Sequence, residues 1–201
     1  MKTIAKRYFP KAIQVTDRFH VQKLALEALQ NIRIKHRWEA IDLENEEIKQ
    51  ARTFKKGYQP RIFTNGDTRK QLPARSRYLL YKAPSKWTGN QYQRSKILFN
   101  EYPDIKIAHN LTQELRTLFN TASSIKLAHW YNQVEKSGFK AFNTIANTIH
   151  INYKSILNYF INKSTNASAE SFNAKIKAFR TQFRGVKNIE FFLFRLTTIF
   201  A

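Results

Sequence analysis

Ala12-Ile13-Gln14-Val15-Thr16 is the one good strand candidate in a chain that otherwise reads as helix, and the fold class turns on what surrounds it. The run is short and partly β-branched, entered through Pro10 and ended by Asp17. A strand needs partners to be stable, and the only other period-two run, Arg61-Ile62-Phe63-Thr64 before Asn65-Gly66, is weak. Met1 to Phe9 reads as the last turns of a helix leading into the strand. The expectation is therefore an orphan strand belonging to an α/β unit that the chain enters partway through.

Downstream the pattern is helical. Val21, Leu24, Ala25, Ala28, Leu29 and Ile32 recur at three- and four-residue spacing, so one long or broken helix is expected from Phe19 to about Lys55. An acidic patch on it, Asp42, Glu44, Glu46 and Glu47, reads as a solvated face. Thr88-Gly89-Asn90-Gln91 has capping-box spacing and opens a helix running to Tyr102-Pro103. Further amphipathic helices are expected over Ile105–Asn120, Leu127–Val134, Phe139–Ile149 and Ile151–Ile161. The last pair is Ala167–Phe183 and Ile189–Phe200, with Arg184-Gly185 as the joint.

Composition limits what such a chain can do. Lys+Arg 35 against Asp+Glu 14 gives a net charge of +21, which points to a polyanionic partner. A hydrophobic fraction of 42% with 16 Phe, 9 Tyr and 3 Trp is enough for a folded core. The lack of Cys excludes disulfides, a thiol nucleophile and a Cys-type zinc site, and fits a cytoplasmic chain. The greasiest stretch, Phe191 to Phe200, is interrupted by Arg195 and is about half of the roughly 20 residues that a bilayer span needs, so no membrane anchor is expected. Met1 to Pro10 lacks an apolar h-region, so no signal peptide is expected. Five Gly and five Pro are too few turn residues for an all-β fold.

Three places could carry chemistry. Between Arg52 and Lys96 stand 12 Lys or Arg and one acid, Asp67, interleaved with aromatic residues and with Gly and Pro. Lys55, Lys56, Arg61, Arg69, Lys70, Arg75, Arg77 and Arg94 in this loop-rich segment are the candidates for nucleic-acid contact, since cations supply the phosphate interaction. Near the C-terminus, Glu170, Asn173 and Lys177 fall at i, i+3 and i+7 on one polar face, while Phe172, Ile176, Phe179 and Phe183 form an apolar one. Glu170 is either a carboxylate interacting with the helix dipole or a metal ligand that needs partners from other elements. Asp17-Arg18-Phe19-His20 lies at the carboxyl end of the expected strand, where open α/β sheets bind ligands, although Asp17 equally suits a helix cap. The five His are dispersed, and neither a Gly-rich phosphate loop nor an acidic calcium ladder is present.

Taken together, these residues resemble a known family. Asp17-Arg18-Phe19-His20-Val21 with Lys23, then Asn166-Ala167, Ala169-Glu170, Asn173 and Ile176-Lys177, then Arg184-Gly185, are similar to the catalytic region of bacterial insertion-sequence transposases of the DDE class. The likeness is to the Mutator-related group with a ribonuclease H-like core. Asn65-Gly66-Asp67-Thr68, Arg75-Ser76-Arg77-Tyr78-Leu79-Leu80, and Gln91 with Arg94 resemble the central region of that family.

The resemblance implies a two-metal phosphodiester chemistry in which two Asp and one Glu hold Mg²⁺ or Mn²⁺. Glu170 would be the last of the three, a catalytic and metal-holding residue. Asp17 would be a residue beside the active site, with Arg18, His20, Asn173 and Lys177 as supporting groups. Both catalytic Asp would then precede Met1. The fold expected is mainly α: residues 1–18 a remnant helix and strand of the ribonuclease H-like core, 19–163 a helical insertion containing the basic segment 52–96, and 164–201 C-terminal core helices. DNA is the implied partner, and the intact family allows a homo-oligomer. A C-terminal transposase piece that binds DNA without cleaving it, and holds no metal stably, is the resulting expectation. The alternative is a non-enzymatic basic helical nucleic-acid-binding protein, and a third class is a basic ribosome-associated protein.

Overall fold

The computed structural model describes residues 7–8, 10–11, 13–16, 18–121, 124–162, 167–185 and 187–200. The chain divides into two compact units, Met1–Phe160 and Ile161–Ala201. Ten α-helices form among the described residues: α1 (Arg18–Thr53), α2 (Gln71–Arg75), α3 (Arg77–Tyr81), α4 (Gly89–Glu101), α5 (Pro103–Thr121), α6 (Ser124–Ser137), α7 (Lys140–Ile151), α8 (Tyr153–Asn162), α9 (Ala167–Gln182) and α10 (Ile189–Phe200). A mainly α fold is thus what the sequence period predicts.

The first unit is organised by α1, an unbroken helix of 36 residues that packs on α2, α3, α5 and α7. Its buried stripe, Val21, Ala25, Ala28 and Leu29, is made of small and aliphatic residues that let α5 approach. From α5 come Ile105, Ala108, Leu111 and Leu115, all buried. Trp130 of α6 is fully buried, with its indole nitrogen donating to the Leu111 carbonyl at 2.9 Å, which satisfies the one polar atom of that side chain. Phe142, Ile145 and Ile149 of α7 complete this core.

The expected strand does not form. Ala12 lies outside the described residues, and among the described residues there is no sheet. Residues 13–16 turn to α8 instead: the Thr16 amide donates to the Ser155 carbonyl at 2.9 Å, the two hydroxyls of Thr16 and Ser155 lie 2.7 Å apart, and Asn158 Nδ2 donates to the Gln14 carbonyl at 3.0 Å. Backbone polar groups must find partners, and in a β-branched run without a neighbouring strand a helix can supply them. The weak run at Arg61 gives one antiparallel bridge, Ile62 with Thr68. Of the expected helix before the strand, residues 7 and 8 are helical and the rest lies outside the described residues.

In the second unit α9 and α10 meet through aromatic rings. Phe179 is buried, with its ring centroid 4.4 Å from Phe183 and 5.3 Å from Phe192. The Arg195 guanidinium lies 5.9 Å from the Phe183 ring centroid. Gly185, in the turn that follows α9, has φ +95°, a left-handed conformation that glycine adopts without strain.

Candidate nucleic-acid interface

The basic segment is more ordered than its Gly and Pro content suggests, because a single buried acid ties it together. The turn Asn65-Gly66, with Gly66 at φ +79°, brings the Phe63 amide to the Asp67 carbonyl at 2.9 Å and tucks the Asp67 side chain inward. Asp67 has no exposed surface. It accepts from Arg75 Nη1 at 2.6 Å, Arg94 Nε at 2.7 Å and Asn65 Nδ2 at 2.7 Å. Burial by itself raises the carboxyl pKa, but the hydrogen bonds from Arg94 and Arg75 outweigh it, so the net direction is down. A groove of about 550 Å³ opens beside this knot, lined by Asn65, Asn90, Gln93, Arg94 and Lys96 among others, with no acid in its lining.

Other candidate cations are paired too. Arg61 makes a two-pronged contact with Glu101 at 3.1 and 3.3 Å. Arg69 reaches Glu47 at 3.3 Å and Lys70 reaches Glu44 at 2.8 Å. The acidic patch on α1 is therefore not simply a solvated face: its Glu44 and Glu47 hold the basic segment against the helix, while Asp42 and Glu46 stay exposed. Five of the eight cations, Arg61, Arg69, Lys70, Arg75 and Arg94, carry a carboxylate partner. Lys55, Lys56 and Arg77 are exposed and make no ion pair among the described residues. Lys55 sits at φ +52°, a left-handed residue that ends α1 as its amide and that of Lys56 close back on Arg52 and Ala51.

One cation that sequence reasoning missed is Arg33, which is 5% exposed on the inner side of α1. Its Nε donates to Gln30 Oε1 at 2.6 Å and its Nη1 to the Pro73 carbonyl at 3.1 Å, both neutral acceptors. Burial, then Arg77, then Arg37 pull its pKa below the ordinary guanidinium value. The signal was available: Arg33 follows Leu29 by four residues, a cation on the apolar stripe.

The remaining candidates lie at the ends of the chain. Asp17 falls outside the described residues. Arg18 is the first residue of α1, and exposed His20 sits with its ring centroid 6.2 Å from that of Phe19. In the second unit Glu170 is in the first turn of α9, and Glu170, Asn173 and Lys177 are all exposed along one polar face, as their spacing predicts. On the opposite face Phe179 is buried, Ile176 is half-buried and Phe172 remains 49% exposed. No group of three or more His, Asp or Glu able to hold a metal ion occurs among the described residues. Glu170 alone does not make a complete Mg²⁺ site, which takes two or three carboxylates, and Asp67 is fully engaged by two Arg. The described residues therefore do not by themselves fit the metal centre that the resemblance implies.

No described helix is long and apolar enough to cross a membrane. Neither a curated protein nor a solved structure matches the chain. A protein-family model, described as Transposase (DDE_Tnp_ISL3), matches residues 1–196, nearly the full length. A transposase family has DNA as its partner, in keeping with a net charge of +21. The chain belongs to this transposase family.

Proposed function

We propose that this chain is the C-terminal part of the catalytic region of a DDE-class insertion-sequence transposase, of the Mutator-related group with a ribonuclease H-like core. In this reading residues 1–18 and 164–201 belong to that core, and 19–163 form a helical insertion that holds DNA. The observation that carries it is a transposase family match over residues 1–196 in a chain of charge +21. Glu170 supplies one carboxylate of the metal-holding set, with Asn173 and Lys177 beside it on the same exposed face of α9. Asp17, Arg18 and His20 are proposed to be supporting residues of the same family motif. Glu170, together with carboxylates from the rest of the intact enzyme, would hold Mg²⁺ or Mn²⁺, which would supply Lewis-acid chemistry at the phosphate.

Within the insertion, the cations free to meet phosphates are those that no carboxylate neutralises, among them Lys55, Lys56 and Arg77. Because a two-ion centre takes two or three carboxylates and the motif supplies one, the chain alone is proposed to bind DNA and not to cut it. Purified chain incubated with supercoiled plasmid and Mg²⁺ or Mn²⁺ tests this: retarded but intact plasmid is the expected result. Nicking by the wild type that disappears in Glu170→Ala would overturn the inactivity, while keeping Glu170 as a catalytic group. Failure to retard plasmid even at low salt would remove the DNA-binding reading.

A further inference from the structure

The cations of the first unit fall into two electrostatic classes, those that meet a carboxylate and those that do not, and four arginines of the second class lie on α1, α3 and α5. Gln30 of α1 links two of them: its Oε1 accepts from Arg33 at 2.6 Å, and its Nε2 donates to the Arg77 carbonyl at the start of α3, 3.4 Å away. Arg37 stands one turn beyond Arg33 on α1, and both Arg37 and Arg77 are exposed. At the other end of α3, Arg116 of α5 donates to the Tyr81 carbonyl at 3.1 Å and to Gln113 Oε1 at 3.2 Å. Arg33, Arg37, Arg77 and Arg116 make no ion pair among the described residues. The Arg77 guanidinium lies over the Tyr78 ring, 5.6 Å from its centroid.

Such an arrangement is unfavourable for the free protein. A buried charge is normally paired with an opposite one, yet buried Arg33 is met by neutral acceptors and lies in the repulsive field of Arg77 and Arg37. Places where a fold keeps a local electrostatic conflict are where an absent partner is to be sought. The partner has to be an anion with several charges, because the positive groups span α1, α3 and α5 rather than converging on one atom. The cations around Asp67 are poorer candidates, since a phosphate there would have to compete with carboxylates 2.6 and 2.7 Å from Arg75 and Arg94.

We infer that the face formed by Arg37, Arg77 and Arg116, underlain by buried Arg33, is the docking site for the phosphate backbone of a DNA duplex. This rests on the DNA-binding reading above and locates it. Arg37, Arg77 and Arg116 contact phosphates, and Arg33 strengthens the field beneath them without touching the strand.

Fluorescence anisotropy with a labelled DNA duplex, titrated at several salt concentrations, tests the assignment. Arg37→Ala/Arg77→Ala is expected to weaken binding about tenfold and to lower the slope of log affinity against log salt by about two, one for each lost phosphate contact. Arg37→Lys/Arg77→Lys is expected to keep the slope, as the charge is retained. The melting temperature of the double Ala variant is expected to be no lower than that of the wild type, because like charges beside Arg33 have been removed. Lys136→Ala/Lys140→Ala, which removes two exposed cations of α6 and α7, is expected to change the affinity less than about twofold. Salt-dependent wild-type binding with an unchanged slope in the Arg37/Arg77 variant would overturn the site and leave the function standing. An equal loss in the Lys136/Lys140 variant would make binding a property of net charge and also overturn the site. Tighter binding of an RNA duplex of the same sequence would overturn DNA as the occupant. A wild type that binds no DNA would remove both readings.

Discussion

Asp67 shows how much one side chain can organise. It is the lone acid among the 12 cations between Arg52 and Lys96, and it is fully buried with two guanidinium groups on it. Removing one partner of a buried pair costs about 3–5 kcal/mol, because the opposite charge is left uncompensated. Here Arg75 is half exposed, with 54% of its side chain accessible, so solvent offsets part of the loss. Asp67→Ala is expected to destabilise by about 2–3 kcal/mol, read as a lower midpoint in urea unfolding. The pH dependence has a definite sign. An acid whose pKa is depressed on folding stabilises the folded state above its unfolded value, and that contribution is lost as pH falls through the folded value. Wild-type stability should therefore fall on acidification below about pH 4, the ordinary Asp value, and Asp67→Ala should show a flatter acid limb. Equal acid limbs in the two proteins would mean that other carboxylates set it.

Elements were legible wherever a local rule decides them. The Thr88 hydroxyl accepts from the Gln91 amide at 3.3 Å and the Gln91 side chain accepts from the Thr88 amide at 3.2 Å, the reciprocal pair that the spacing implied. Thr88→Ala is expected to cost about 1 kcal/mol, checked by the shift in urea midpoint, with Thr88→Ser nearly neutral. Gly185 likewise takes the left-handed conformation in the turn after α9, at the joint that its sequence position implies. The run at residues 13–16 was misread for the opposite reason. Whether a β-branched run becomes a strand depends on distant partners, and here the groups that meet it are Ser155 and Asn158, some 140 residues away. The pairing of the basic segment was hidden in the same way. Nothing in the spacing of Glu44, Glu47 and Glu101 announces Lys70, Arg69 and Arg61 as their partners, since α1, α4 and the turn between them meet only after folding.

At the scale of the molecule, +21 is both a function and a liability. Self-repulsion among excess cations disfavours the compact state, while the ion pairs that offset it are mostly surface contacts worth about 0–1 kcal/mol each. Added salt screens both, but the cationic excess is spread over the whole chain and the stronger pairs are few. The one fully buried carboxylate, Asp67, is screened least because water and ions do not reach it. Raising salt from low to about 0.5 M, where the screening length falls to a few ångströms, should therefore raise the melting temperature of the free chain. The same change should lower its affinity for duplex DNA steeply, since phosphate contacts release counterions. The opposed signs separate this electrostatic account from one in which surface salt bridges hold the fold. A melting temperature that falls with salt, measured calorimetrically on the same samples used for binding, would show that the ion pairs outweigh the repulsion. The mismatch of charge would then lie in the DNA-facing arginines alone and not in the chain as a whole.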